Sequence, residues 1–599
     1  MPKGKFFTNQ EIADLLKKVA SAYSVKGEDL FRISAYEEAA ASIEHSTSEL
    51  KDLWDDGKLE DVPGVGKSIA EHLDEFFRTG KVKHFEEIFA SLPEAMFIFE
   101  KIPGVGPKKA LSLAEGLHIS DPDRAIKRLQ KAIKEGKVRK LEGFGEKSEV
   151  VLLKGIDSLK KGEMKSKRMP LYLADAVAEE IITYLKQNPL VLEALPLGSL
   201  RRMLATIGDI DMAVSTKKPK EVMTYFLKYP QIKRVVSQGE ELLSRVVLKS
   251  GIQVDIRFSS PETFGAMLQY FTGSKQHNIA LRGYALSKGL SLSEYGIKNL
   301  KSQKILKTEN EAKFYQALGM KLIPPEIREG AGEIQAALLH GLPSLVELRD
   351  IKGDLHLHSD FPIESSHDLG DSPLKVMVQK GEELSYQYLG FTEHNPSTSR
   401  HSEKEILELL KKKQEFFEQF RYSYEKGTSK LPIKILNSLE IDIKPAGDLA
   451  IPEKGFDYLD YAIVSVHSSF DLDRSSMTKR ILTALSHPKA KILGHPTGRM
   501  IDKREGYELD WEQILDFCLK NHKFLEISAW PNRLDLPDVL VREAVKSGVK
   551  LVVNSDSHSV EEMGLMVYGV SVARRGWAEA KDIINTLPVE RLSDILISS

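Results

Sequence analysis

The chain has 599 residues, 41% of them hydrophobic and 29% charged, with a formal net charge of −2. That length calls for several domains, and the composition is ordinary for a soluble globular protein. A single cysteine, Cys518, excludes an internal disulfide and fits a reducing cytoplasm, while the lack of a signal-peptide core or a bilayer-length apolar run argues against secretion and membrane insertion.

The first part of the chain repeats itself. "DVPGVGKSIAEHL", "KIPGVGPKKALSL" and "LEGFGEKSEVVLL" carry leading glycines Gly64, Gly104 and Gly143, spaced by 40 and 39 residues. Each copy reads as a Gly-x-Gly turn, completed by Gly66, Gly106 and Gly145, that opens an amphipathic helix. The amides of such a turn and of the helix start form an anion site, so the pattern reads as helix-hairpin-helix units gripping a DNA backbone. Basic density supports this reading. Between Arg124 and Arg168 there are 15 lysines and arginines against 6 acids.

Next comes "LPLGSLRRMLATIGDIDMAVS". Asp209 and Asp211 alternate on a β-rich run and leave one face. "SGIQVDIRFSS" reads as a second strand, with Ile252, Val254, Ile256 and Phe258 on the buried face and Asp255 opposite. If the strands adjoin, three carboxylates converge, which divalent cations relieve. That is the requirement of two-metal phosphoryl transfer, and the upstream turn offers Ser199 and Arg202 to a triphosphate.

With "VDIRF" and "LQYFTGSKQHNIALRGYALSKGLSLSEYGI", this region resembles the palm and thumb of family-X DNA polymerases, the group of polymerase beta. The resemblance implies metal ligation by Asp209, Asp211 and Asp255. It implies a triphosphate pocket of Gly198, Ser199, Arg202 and Gly208, a sugar and base gate of Tyr270, Phe271 and Gly273, and minor-groove and template contacts from Asn278 and Arg282. Two departures stand out: "MLAT" follows the arginines, and Ile207 occupies a position where a hydroxyl residue is common. The family's lyase lysine falls on His72, which forms no stable imine, and Lys67, Lys81 and Lys83 do not match that position. The N-terminal domain is therefore expected to bind the 5′ side of a gap without lyase activity.

After the Pro-rich "LIPPEIREG", short apolar runs alternate with helical stretches, and ten of the sixteen histidines lie in residues 349–599. "GDLHLHS" places His356 and His358 on one strand face; His394, Glu440, His467, His495, Asp556 and His558 end later runs. Ligand-type residues at successive strand ends suit the active-site rim of a parallel barrel that binds metal. The segment resembles the PHP (polymerase and histidinol phosphatase) domain, a (β/α)7–8 barrel, and these eight residues match its ligands. One family ligand is missing. The aspartate expected five residues after the second histidine is Ile363, and the nearby candidates are Glu364, ranked first, then Asp360 and His367. Pro362 rigidifies that turn.

The whole chain thus resembles bacterial and archaeal family-X polymerases with a C-terminal PHP nuclease, a multidomain α+β and α/β architecture. The expected domains are residues 1–90 (lyase-like helix-hairpin-helix), 91–168 (fingers-like helix-hairpin-helix), 169–262 (nucleotidyltransferase palm), 263–320 (thumb), 321–348 (linker) and 349–599 (PHP). The resemblance implies gap-filling polymerisation in base excision repair, with Mg²⁺ or Mn²⁺ in the palm and Mn²⁺ or Zn²⁺ in the barrel. Gapped or primed DNA and dNTPs are the expected partners, for a cytoplasmic monomer without membrane association. Two alternatives compete: a DNA-end scaffold with decayed catalytic sites, and a small-molecule phosphatase joined to a DNA-binding half. The complete aspartate set opposes the first, and the DNA-gripping repeats oppose the second.

Overall fold

The computed structural model describes residues 7, 9–44, 50, 54, 57, 59–62, 64–102, 105–122, 124–141, 144–145, 148–149, 152–153, 156, 168–239, 243–427, 432–501 and 503–597. The chain forms two compact units, 1–167 and 168–599.

The first unit is helical. Helices α1 (Asn9–Lys26), α2 (Leu30–Glu44), α3 (Lys67–Thr79) and α4 (Lys83–Phe89) share a core that includes Leu16, Tyr36, Leu73 and Phe85. A second core, around Phe99, Leu113 and Leu129, joins α5 (Ala95–Phe99), α6 (Pro107–Gly116) and α7 (Ala125–Lys134). Gly66 and Gly106 cap α3 and α6 in extended backbone. A Cβ at Gly66, Gly106 or Gly145 would meet nothing within 4 Å, so each turn presents open backbone. Gly64 has φ +81, a left-handed conformation that favours glycine. Gly104 and Gly143 lie outside the described residues.

The second unit opens with α8 (Leu171–Lys186), which packs on a five-stranded sheet. Its strands are β1 (Glu193–Pro196), β2 (Ile210–Ser215), β3 (Ile232–Gly239), β4 (Leu243–Leu248) and β5 (Gln253–Ser259), in spatial order β1-β2-β5-β4-β3. β2 and β5 run parallel, and Val254, Ile256 and Phe258 bury one face as their alternation predicts. Helices α9 (Phe264–Thr272) and α10 (Lys275–Ser287) follow, then a three-stranded antiparallel sheet of β6 (Leu290–Ser293), β7 (Gly296–Asn299) and β8 (Ile305–Leu306).

The C-terminal part is a seven-stranded parallel sheet in sequential order: β9 (Gly353–Leu357), β10 (Tyr388–Phe391), β11 (Lys434–Asp442), β12 (Tyr461–Ser465), β13 (Ala490–Leu493), β14 (Phe524–Ser528) and β15 (Leu551–Asn554). A parallel bridge from Leu357 to Ser557 nearly closes it into a barrel. The last strands pack against α12 (Met566–Arg575), which packs in turn on α11 (Asp538–Ser547). β9 and β12 are buried along their whole length, as strands covered on both faces must be.

Candidate active sites

Parallel pairing of β2 and β5 sets Asp211 directly opposite Asp255, and Asp209 precedes β2. Side chains in register on adjoining strands leave the same face, so Asp211 and Asp255 project together. Burial, then the charges of Asp209 and Asp255, push the Asp211 carboxyl up to about 6. The carboxylate of Asp255 is already held by a cation. Arg245 on β4 donates from Nε to both oxygens, at 2.8 and 2.9 Å, and from Nη2 at 2.5 Å. Arg245 therefore stands where positive charge is required. Among the described residues, the groups with ligand atoms mutually within 4.8 Å are all in the barrel; the palm triad is not one of them.

Gly198 faces this site from the turn after β1. Its φ is +56, and a Cβ there would lie 2.8 Å from Asp211 Oδ2, so only glycine fits beside the carboxylates. Ser199 lies in the same short helix as Gly198, and Gly208 precedes Asp209. Arg202 donates from Nε to Glu329 Oε1 at 3.0 Å and from Nη1 to the carbonyl of Thr272. Gly273 follows α9, and a Cβ on it would lie 3.2 Å from Arg202 Nη1. Tyr270 and Phe271 pack edge to face at 4.9 Å. Asn278 donates to the Tyr270 carbonyl at 2.8 Å, and the Arg282 guanidinium lies 5.0 Å from the Tyr270 ring centre, so α10 fixes this pair. Ile207 is fully buried in the core, which accounts for an apolar residue at that position.

In the barrel, β9 aims His356 and His358 inward, both almost fully buried. The later strands deliver their partners in four overlapping groups: His356, His358, Glu440 and Asp556; His358, His394 and His558; His367, His394 and His467; and Glu440, His467 and His495. His356 Nε2, both ring nitrogens of His358, His394 Nδ1, His495 Nδ1, His558 Nε2 and Glu440 Oε2 are buried without a hydrogen-bond partner. Buried polar atoms left unpaired in such numbers fit a site that metal ions complete. Burial first, then His558, push His358 down to about 4, which suits a neutral imidazole ligand.

The expectation for Glu364 is corrected. Its backbone is left-handed (φ 53), its side chain is 55% exposed, and its carboxylate pairs with His401 at 3.0 Å. Ile363, where the family has aspartate, is fully buried in the core and anchors the turn there. His367 instead offers a ring nitrogen within 4.8 Å of those of His394 and His467. Asp360, exposed to solvent on the same turn, joins none of the groups.

Two residues that orient ligands escaped the sequence reading. Glu526 on β14 sits 2.7 Å from His356 Nδ1 and accepts from the His495 amide at 2.7 Å and from Asn554 at 2.8 Å. It fixes the His356 ring so that Nε2 faces the cluster. Asp442 bonds His467 Nδ1 at 2.8 Å and His367 Nε2 at 2.9 Å. Burial works against its charge, but the two imidazoles prevail and hold it well below the usual carboxylate range. Both carried a signal: Asp442 lies two residues after Glu440 on one strand face, and Glu526 is the one charged residue within "FLEIS".

Four family models match the chain: a helix-hairpin-helix domain over residues 7–82, a SAM-like helix-hairpin-helix tandem over 98–155, the DNA polymerase beta thumb over 267–329, and the PHP domain over 354–529. A palm that sets Asp211 beside Asp255, joined to a PHP barrel lined by clustered His, Glu and Asp side chains, defines a nucleotidyltransferase with an attached phosphoesterase. The chain is 33% identical to the DNA polymerase/3′-5′ exonuclease PolX of Bacillus subtilis (strain 168) over 584 residues, covering 96% of this chain and 97% of that protein. It is 26% identical to DNA polymerase lambda of Rattus norvegicus over 355 residues, 54% of this chain and 56% of that protein. The probable phosphatase of Thermoanaerobacter sp. (strain X514) is 29% identical over 166 residues, 26% of this chain and 64% of that protein. The chain belongs to the family-X DNA polymerases that carry a C-terminal PHP domain.

Proposed function

We propose that this protein fills short gaps in DNA by template-directed nucleotide addition and removes 3′-terminal nucleotides at its PHP barrel. The observation that carries the polymerase reading is the Asp211–Asp255 register beneath Gly198. Asp209, Asp211 and Asp255 would hold Mg²⁺ or Mn²⁺, which supplies charge for in-line attack of a primer 3′-hydroxyl on the α-phosphate. Ser199 and Arg202 hold the triphosphate, Tyr270 and Phe271 flank sugar and base, and the open glycine turns grip the duplex backbone. Repair synthesis at gaps is the role these parts suit.

In the barrel, His356, His358, His394, Glu440, His467, His495, Asp556 and His558 would hold Mn²⁺ or Zn²⁺. His367 replaces the family's missing aspartate as a ligand, with Asp442 orienting both His367 and His467. Held by these residues, a metal would supply the charge that activates a water for phosphodiester hydrolysis.

Primer extension on a gapped duplex with Mg²⁺ tests the first activity. Asp255→Ala should lose activity by orders of magnitude at nearly unchanged DNA affinity; wild-type-like extension rejects the palm assignment. For the barrel, 3′→5′ degradation and bound Mn²⁺ are measured together. His358→Ala should lose both, His367→Ala should lose part of the bound metal, and Glu364→Ala should match wild type. Full metal content in His367→Ala rejects His367 as a ligand.

A further inference from the structure

Arg575 ends α12 on the outside of the barrel, yet its side chain reaches the polymerase palm. Nη1 donates to the Arg202 carbonyl at 2.8 Å and to Glu329 Oε1 at 3.0 Å. Nε and Nη2 fork onto Asp538 Oδ2, at 2.8 and 2.6 Å, at the start of α11. The same Glu329 oxygen accepts from Arg202 Nε at 3.0 Å. Both arginines are close to fully buried, at 11% and 9% side-chain exposure. One carboxylate oxygen is thus shared by two guanidiniums, one from the palm and one from the barrel.

We infer that Arg575 is a positioning residue for the triphosphate pocket, through which the PHP barrel supports nucleotide binding by the polymerase. The inference rests on the reading of Arg202 as a triphosphate ligand. For Arg202 to turn its charge toward a phosphate, it must loosen its hold on Glu329. A half-buried carboxylate left alone beside a polyanion would be costly. Arg575 keeps that carboxylate paired, and Asp538 fixes Arg575 in place by its fork. The bond to the Arg202 carbonyl also holds the backbone of the GSLRR turn, which positions Ser199 and the Arg202 side chain. Without Arg575, Glu329 is left with Arg202 as its guanidinium partner and competes with the triphosphate for it.

Steady-state single-nucleotide gap filling by the full-length protein, with dNTP concentration varied, tests this. Arg575→Ala should raise KM for dNTP about tenfold with kcat changed less than twofold. It should leave 3′→5′ degradation at the barrel at the wild-type rate, which also reports that the fold is intact. Arg575→Lys keeps the charge but loses the fork and should fall between the two. Glu329→Gln removes the competing charge, so Arg575→Ala/Glu329→Gln should recover most of the lost affinity. An unchanged KM in Arg575→Ala overturns the inference provided that Arg202→Ala raises KM; if Arg202→Ala has no effect on KM, the triphosphate reading itself fails. Equal losses in nuclease and polymerase rates, with no KM shift, mark Arg575 as merely structural and also overturn it. Should Arg575→Ala fail to fold, the KM of Arg575→Lys decides: a wild-type value overturns the inference.

Discussion

Arg245 occupies the place of a cation beside the palm aspartates. Asp255 is 2% exposed and faces Asp211, so without positive charge nearby the pair would repel in a low-dielectric setting. Removing Arg245 leaves Asp255 with the Gln253 amide, at 3.2 Å, in place of its cation, at a cost of about 1–3 kcal/mol for a buried carboxylate that loses its charged partner. A divalent ion repairs the same deficit. Arg245→Met should therefore melt lower than wild type in EDTA, and Mg²⁺ should raise its melting temperature by more than it raises that of wild type. An equal Mg²⁺ shift in both proteins would show that Arg245 does not act as the counter-ion. The role of Arg245 was not legible in the sequence, because β4 reads only as an amphipathic strand and its pairing with β5 is a tertiary fact. The aspartates were legible because period-2 spacing fixes the face a side chain leaves. Glu364 misled because counting along the chain cannot show that buried Ile363 turns the following backbone left-handed and sends Glu364 to His401.

At the scale of the element, the barrel strands were readable because strand ends recur with the same residue types, whatever lies between them. The supports beneath the strands were not, since they depend on which loop meets which strand. Lys523, just before β14, is one such support. It is nearly buried and donates to the carbonyls of His487 at 2.9 Å and Ala490 at 2.8 Å, tying β14 to the start of β13. Burial first, then the Lys491 charge, lower its pKa from 10.5 to about 8. A lysine whose folded pKa lies below its unfolded value penalises the fold while charged. Between pH 8 and 10.5 the unfolded chain binds more protons, so this residue makes stability rise with pH in that window. Urea midpoints followed by barrel fluorescence should show that rise, and Lys523→Met should flatten it. A slope unchanged by the substitution would assign the rise to other groups.

For the whole molecule, the decisive feature is where cores are continuous. One hydrophobic cluster runs from the palm, through Ile210, Val246 and Ile256, to barrel residues such as Leu357, Val464 and Val553. Polar ties reinforce it: Tyr568 donates to Asp175 at 3.0 Å, and Arg574 to Glu326 at 2.7 Å. Residues 1–167 have cores of their own. Palm and barrel, though distinct in fold and chemistry, should therefore unfold as one cooperative body, separately from the helical unit. Ile256 is fully buried in the palm, and Ile256→Ala should cost about 2–5 kcal/mol. Trp511 and Trp530 lie in the barrel part and report its unfolding by fluorescence. Because the core is shared, the palm substitution should lower the midpoint seen by these barrel tryptophans. Leu73→Ala, in the core of the N-terminal unit, should leave that midpoint unchanged. A barrel midpoint indifferent to Ile256→Ala would mean that the palm melts on its own and that the shared core does not couple the two catalytic parts.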